Sequence, residues 1–288
     1  MMKSYLSLIK FAHTVFALPF AVLAFFLGMK LDHSPFSWTL MGLILLCMIF
    51  ARSAAMAFNR YIDRGFDSKN ARTVLREIPA GIIRPFSAIV FVVLMSVAFI
   101  FTTFWINPLC FYLSPVALLV VLGYSYTKRF TWLCHFVLGV GLGLAPIGAF
   151  IAVTGSFHPL PIFYGIMVML WVSGFDIIYA LQDEEFDRAN GLHSIPGKFG
   201  NKTANQISIG LHFVCACLLF FIAWYQSQLL PSLGFLHWIG AIGFAALLFW
   251  QHRLVKLNDL SKINQAFFET NGIASILFGS TVILDVLI

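Results

Sequence analysis

Nine stretches of mostly apolar residues follow one another along the chain, each about the 20 residues a helix needs to cross the hydrocarbon core of a bilayer. They fall at 11–31, 36–58, 86–106, 108–126, 132–153, 160–181, 204–225, 229–250 and 263–288. Turn signals separate several of them: Ser34-Pro35, Asn107-Pro108, His158-Pro159 and Pro231. The expectation is an all-α, polytopic membrane protein of nine transmembrane helices, forming one domain over residues 1–288.

Composition supports lipid as the solvent. Of the 288 residues, 60% are hydrophobic and 10% charged, whereas a water-soluble domain carries roughly 25% charged residues. Cys47, Cys110, Cys134, Cys215 and Cys217 lie in apolar runs without metal-ligand spacing and read as buried, inert thiols. The first apolar run, preceded by Lys3 and Lys10, is too long for a signal-peptide core and has no small-residue cleavage site after it, so it is read as retained.

The cationic residues segregate. Lys3 and Lys10 precede the first run, and Arg60, Arg64, Lys69, Arg72, Arg76 and Arg84 lie between the second and third. Lys128 and Arg129 follow the fourth, Arg188, Lys198 and Lys202 the sixth, and Arg253, Lys256 and Lys262 the eighth, while the opposite loops hold only Lys30. Positive charge favours the cytoplasmic side, which puts the N-terminus inside and Ile288 outside. The net charge of +6 thus belongs to one membrane face. It is read as attraction to anionic lipid headgroups, and not as a nucleic-acid surface.

Most of the 12 acidic residues gather in two places on that same face. Asn59, Asp63 and Asp67 follow one another at every fourth position at the end of the second run, as do Asp183 and Asp187 after the sixth. At about 100° per residue, steps of seven and eleven return to nearly the same helical face. Arg52, Asn59 and Asp63 stand at those steps, and so do Asp176, Asp183 and Asp187. Each cluster ends in Asp-x-x-Asn, at Asp67/Asn70 and Asp187/Asn190. Carboxylates repeated on a helical face near lipid repel one another and call for a cation. Mg²⁺ takes one or two carboxylates plus phosphate oxygens and keeps several waters. Two facing stripes could hold such ions around a diphosphate, with Arg72, Arg76 and Lys128 meeting the remaining phosphate charge.

Arg52 and Asp176 lie about 10 Å deeper than Asn59 and Asp183 along their helices. Either they pair with each other or they form the wall of a substrate chamber. Tyr124 and Lys128, one turn apart, are placed to face one pocket, although interface anchoring accounts for them equally well. Gly139, Gly141, Gly143 and Gly148, with Pro146, suggest close helix packing. His193 and Ser194 suggest a loop contact, and His13 alone carries no reading.

With these residues in view, the chain resembles the UbiA family of intramembrane aromatic prenyltransferases. The family's two motifs, NDxxDxxxD and DxxxD, read here as Asn59-Arg60-x-x-Asp63-x-x-x-Asp67 and Asp183-x-x-x-Asp187. Flanking segments agree: Arg72-Thr73, Arg76-Glu-Ile-Pro-Ala-Gly81, Tyr124-Ser-Tyr-Thr-Lys128-Arg129 and Tyr179-Ala-Leu-Gln-Asp183. The resemblance implies a helical bundle around a central chamber, capped on the cytoplasmic side and open sideways to lipid. It implies Asp63, Asp67, Asp183 and Asp187 as the catalytic carboxylates, holding Mg²⁺ and diphosphate together with Asn59. Arg72, Arg76 and Lys128 would bind diphosphate oxygens, and Arg52, beside Tyr124, the acceptor's carboxylate. The implied substrates are a polyprenyl diphosphate and an aromatic acid of the 4-hydroxybenzoate type, in respiratory quinone biosynthesis at a bacterial inner membrane. The opening Ile9-Lys-Phe-Ala-His13 through Pro19-Phe, with the Asn-Arg start of the first motif, is also similar to a subgroup linked to menaquinone, whose acceptor is 1,4-dihydroxy-6-naphthoate. Arg60 departs from the family's Asp, exchanging a metal-binding carboxylate for a cation. A reading of another class is a transporter or lipid carrier with an ion site, but transporters place such sites near the midplane in broken helices. No oligomeric state is specified.

Overall fold

The computed structural model describes residues 5, 7, 8, 16–255, 257 and 259–288. Lys3, Lys10, His13, Lys256 and the first part of the 11–31 run lie outside the described residues. The elements in chain order are α1 (Leu18–Asp32), α2 (Trp38–Asp67), α3 (Pro85–Phe104), α4 (Pro108–Thr127), α5 (Cys134–Thr154) and α6 (Pro159–Ala180). A 3₁₀ turn (Leu181–Asp183) and the short α7 (Glu184–Ala189) follow, then α8 (Ile195–Leu229), α9 (Leu236–Leu254), a π-helical turn (Gln265–Thr270) and α10 (Asn271–Leu287). No β-strand is present among the described residues.

Setting α7 aside, these helices occupy the nine expected places. Among the described residues, seven segments are long and apolar enough to span a membrane. The exceptions are α1, described over 15 residues, and α9, whose 19 residues carry Gln251, His252 and Arg253 in the last turn before Leu254. The seventh expected span also begins earlier than the 204–225 run, because α8 starts at Ile195 and bends at Gly200, whose φ of 79° suits glycine.

Local chemistry sets the helix starts. Proline stands in the first turn of α1, α3, α4, α6 and α8, where no N–H partner is lost. Ser37, Asn107, His158 and Ser194 cap α2, α4, α6 and α8 by accepting backbone N–H bonds.

The core is built on α6, where Tyr164, Met167 and Trp171 are fully buried. Polar side chains there are paired, as an apolar surround requires: Tyr164 Oη donates to Gln226 at 2.7 Å and Trp171 Nε1 to Asn271 at 2.8 Å. On the outward rim, Phe86, Leu119, Phe213, Phe249 and Ile288 are exposed, the surface of a protein solvated by lipid. At the end remote from the acidic clusters, the Asp285 carboxylate accepts from Gly234 N, His237 N and the His237 ring, tying α10 to the start of α9.

The packing glycines divide. A Cβ on Gly139 would lie 2.5 Å from the Met169 carbonyl and one on Gly143 2.5 Å from the Gly165 carbonyl, so both bring α5 against α6. Gly141 and Gly148 instead line a cavity. All five cysteines are free; Cys217 is exposed, and Cys47 and Cys110 are half-buried.

Candidate active site

That cavity, of about 250 Å³, lies among α2, α3, α4 and α5 and is overwhelmingly apolar. Along α4 it runs from Tyr124 to Cys110, about 21 Å at 1.5 Å per residue. Arg52 is its charged lining residue, and Tyr124 lines it as well. Arg52 Nε has no hydrogen-bond partner among the described residues.

The two acidic clusters meet at the Tyr124 end. Each of their four aspartates is paired with a cation from elsewhere in the chain. Arg72 grips Asp183 with two donors, Nε to Oδ1 at 3.1 Å and Nη2 to Oδ2, while its Nη1 donates to Tyr179 Oη at 3.0 Å. Arg76 Nη1 donates to Asp67 Oδ1 at 2.6 Å. Arg129 Nη2 donates to Asp63 Oδ1 at 3.0 Å. Lys128 Nζ stands 2.8 Å from Asp187 Oδ1, a charge contact that misses hydrogen-bond alignment.

The elements explain this placement. Asn59 and Asp63 share one face of α2, and Asn59 Nδ2 donates to Asp63 Oδ2 at 3.0 Å. Asp67 ends the helix, buried, and its carbonyl accepts from Thr73 Oγ1, which folds the 68–84 loop back over the helix end. That fold brings Arg72 and Arg76 inward. Asn70 Nδ2 crosses to Asp183 Oδ1 at 3.2 Å, so the first Asp-x-x-Asn touches the second motif. Asn190 stays local, donating to the Phe186 carbonyl. The expected loop contact is made by Ser194, whose Oγ donates to the fully buried Asp187 at 2.7 Å.

Burial opposes the charge of both Arg72 and Lys128, yet Asp183 beside the first and Asp187 beside the second hold these groups above their ordinary pKa values. Arg60 is 7% exposed, with its Nε unpaired, among Arg76, Asp67, Tyr124 and Glu77. The anticipated cation in place of a motif carboxylate is therefore buried at the end of α2, beside Asp67 and Arg76.

The open question of Arg52 and Asp176 is settled against pairing. Asp176 Oδ2 is bonded instead to His135 Nδ1 at 2.7 Å. Sequence reasoning missed His135 and the role of Arg129. Arg129 sits beside an expected residue and differs from Lys128 only in its direction off the end of α4, which the sequence does not carry. His135 follows Cys134 in an apolar run and had no spacing signal.

The donor set fits a hard cation: carboxylates and one amide, with Asp67 Oδ2 buried and lacking a hydrogen-bond partner among the described residues. No group of three or more His, Cys, Asp or Glu side chains gathers as a ready metal cage among the described residues. Such an arrangement suits Mg²⁺, which takes few protein ligands and completes its shell with phosphate and water.

A family profile described as "UbiA prenyltransferase family" matches residues 17–273. Among curated relatives, a 4-hydroxybenzoate octaprenyltransferase of Aeromonas hydrophila is 26% identical over 257 residues, 89% of this chain and 87% of that one. A protein of the same name from Nitrosospira multiformis is 29% identical over 242 residues, 83% and 80% of the two chains. A UbiA homologue from Aeropyrum pernix, solved without ligand, superposes with a TM-score of 0.82 at 29% identity, covering 95% of this chain and 98% of that one. A UbiA homologue from Archaeoglobus fulgidus, bound to DMAPP and Mg²⁺, shares the fold with a TM-score of 0.74 at 19% identity, over 99% of each chain.

Proposed function

We propose that this chain, which belongs to the UbiA prenyltransferase family, transfers a polyprenyl group from its diphosphate to a ring carbon of an aromatic carboxylate of the 4-hydroxybenzoate type. The whole chain acts as one domain, with its charged face cytoplasmic. The observation that carries the reading is the pairing of Asp63, Asp67, Asp183 and Asp187 with Arg129, Arg76, Arg72 and Lys128 at the mouth of an apolar cavity. Below that mouth stands Arg52, a cation with no carboxylate partner among the described residues.

The pairs form a nearly neutral cluster. A diphosphate draws Arg72, Arg76, Lys128 and Arg129 toward its oxygens, because phosphate competes for the same charge-assisted bonds. Each aspartate that loses its cation then needs another. Asn59, Asp63, Asp67, Asp183 and Asp187 are the residues that would hold Mg²⁺, which supplies positive charge to the leaving diphosphate when bound. The cations on the outer oxygens stabilise the charge that builds as the allylic C–O bond breaks. The apolar walls hold the isoprenoid tail and exclude water from the allylic cation. Arg52 holds the acceptor's carboxylate through a two-pronged contact, with Tyr124 beside the ring.

The test is a transfer assay in proteoliposomes with radiolabelled prenyl diphosphate, offering 4-hydroxybenzoate or 1,4-dihydroxy-6-naphthoate with and without Mg²⁺. Mg²⁺-dependent appearance of a prenylated acid is expected, and the acceptor used identifies the quinone pathway. Thermal unfolding adds a second readout. Mg²⁺ together with an unreactive prenyl thiolodiphosphate should raise the midpoint, whereas Mg²⁺ alone should not, since the aspartates are already neutralised. Passage of label across the bilayer without any product would favour the transport reading.

A further inference from the structure

The His135–Asp176 pair is not used by the ionisation machinery. Asp176 belongs to α6, the most buried helix, yet its side chain is 24% exposed, while Phe175 and Ile177 on either side are 2% and 0% exposed. The Asp176 side chain is therefore reachable from one side of an otherwise closed stretch of helix. It lies seven residues before Asp183, about 10 Å deeper along the helix path, within electrostatic reach of Tyr124 from α4. Arg52 and Tyr124 line the cavity. This is the level where the acceptor ring stands once Arg52 holds its carboxylate.

The carboxylate is held in a fixed orientation. The backbone N–H of Ile195 donates to His135 Nε2 at 3.3 Å, so the ring proton resides on Nδ1 and is donated to Asp176 Oδ2. Gly139, one turn beyond His135, lets α5 approach α6 closely enough for the pair to form. The bond to His135 uses Asp176 Oδ2 and not Oδ1.

We infer that Asp176 is the base that removes the ring proton after prenyl transfer, and that His135 is the positioning residue that orients it. This rests on the prenyl-transfer reading. The allylic C–O bond breaks and its electron pair leaves with the diphosphate. The ring carbon beside the hydroxyl gives a π pair to the allylic carbon, forming the C–C bond and leaving the ring cationic. The C–H bond at that carbon then breaks, its pair restores the aromatic ring, and the proton passes to Asp176 Oδ1 and later to water. A base acting only here does not influence ionisation.

The experiment separates the two steps. Prenyl diphosphate carrying ¹⁸O at the bridging position is supplied with acceptor, and scrambling of the label into non-bridging positions reports reversible ionisation. In Asp176→Asn, scrambling should persist while product formation falls about 10²-fold, within the range of general-base contributions. Acceptor deuterated at the attacked carbon should then show a primary isotope effect that the unaltered enzyme lacks. His135→Leu should give a smaller loss with the same isotope effect, and His135→Gln, which keeps a donor, should recover part of it. Wild-type turnover in Asp176→Asn, or slow turnover without the isotope effect, would overturn the assignment and leave the departing diphosphate as the base. Loss of scrambling in both Asp176→Asn and His135→Gln would overturn it too. Absence of scrambling and product in the unaltered protein would instead refute prenyl transfer itself.

Discussion

Lys128 Nζ lies 2.8 Å from Asp187 Oδ1, and the Asp187 side chain has no solvent exposure. The lysine is 32% exposed, so the pair has one dry partner and one at the chamber mouth. Removing the lysine alone strands a buried carboxylate, which costs about 3–5 kcal/mol when the pair is fully buried and less here because the lysine is partly solvated. Lys128→Met should therefore lower the thermal unfolding midpoint in detergent as well as abolish transfer. Adding Asp187→Leu should recover much of the stability and none of the activity.

Arg129 extends the cation set beyond the residues anticipated from the motifs. Its Nη1 donates to the Ser125 carbonyl and its Nη2 to both the Ile62 carbonyl and Asp63. A charge-assisted bond of this kind is worth about 1.5–3 kcal/mol, so Arg129→Gln should lower kcat/KM for the prenyl diphosphate about 10- to 100-fold. Arg129→Lys should rescue poorly, because an ammonium cannot reproduce the fork. Steady-state kinetics at saturating acceptor checks this.

Arg52 carries the opposite balance of stability and function. A half-buried cation whose Nε has no hydrogen-bond partner among the described residues is costly to fold, so Arg52→Met should raise the unfolding midpoint while it weakens acceptor use. The expected kinetic signature is a raised KM for the aromatic acid with little change in KM for the prenyl diphosphate. Acceptors lacking the carboxylate should lose their disadvantage in this variant.

Two glycines in α5 should respond in opposite ways. Gly139→Ala drives a Cβ to 2.5 Å from the Met169 carbonyl and should destabilise the bundle by about 1–3 kcal/mol, as overpacking does. Gly148→Ala meets nothing within 4 Å and should leave stability unchanged or raise it by about 0.5–1 kcal/mol through helix propensity. Differential scanning of both variants in one detergent makes the comparison.

Much of this molecule was legible in the chain itself. Apolar length located the helices, because a bilayer of fixed thickness imposes one length on every span. Helical periodicity brought Asn59 to Asp63, because 3.6 residues per turn is a local rule. The step from Asp176 to Asp183 instead runs through the 3₁₀ turn Leu181–Asp183 and leaves that period. The clustering of scarce carboxylates pointed to the candidate site, because charge near lipid is costly.

Pairing across helices was decided only in three dimensions. Whether Arg52 meets Asp176 depends on the rotation of α2 and α6 about their axes, and close packing at Gly139 and Gly143 turns Asp176 to His135 instead. The path of the 68–84 loop, which gives Arg72 to Asp183 and Arg76 to Asp67, is fixed by contacts between segments that no local spacing encodes. Sequence determines which groups a helix face presents, through geometry repeated every turn. Which partner each group finds depends on the packing of whole helices, and that is where the tertiary structure decides.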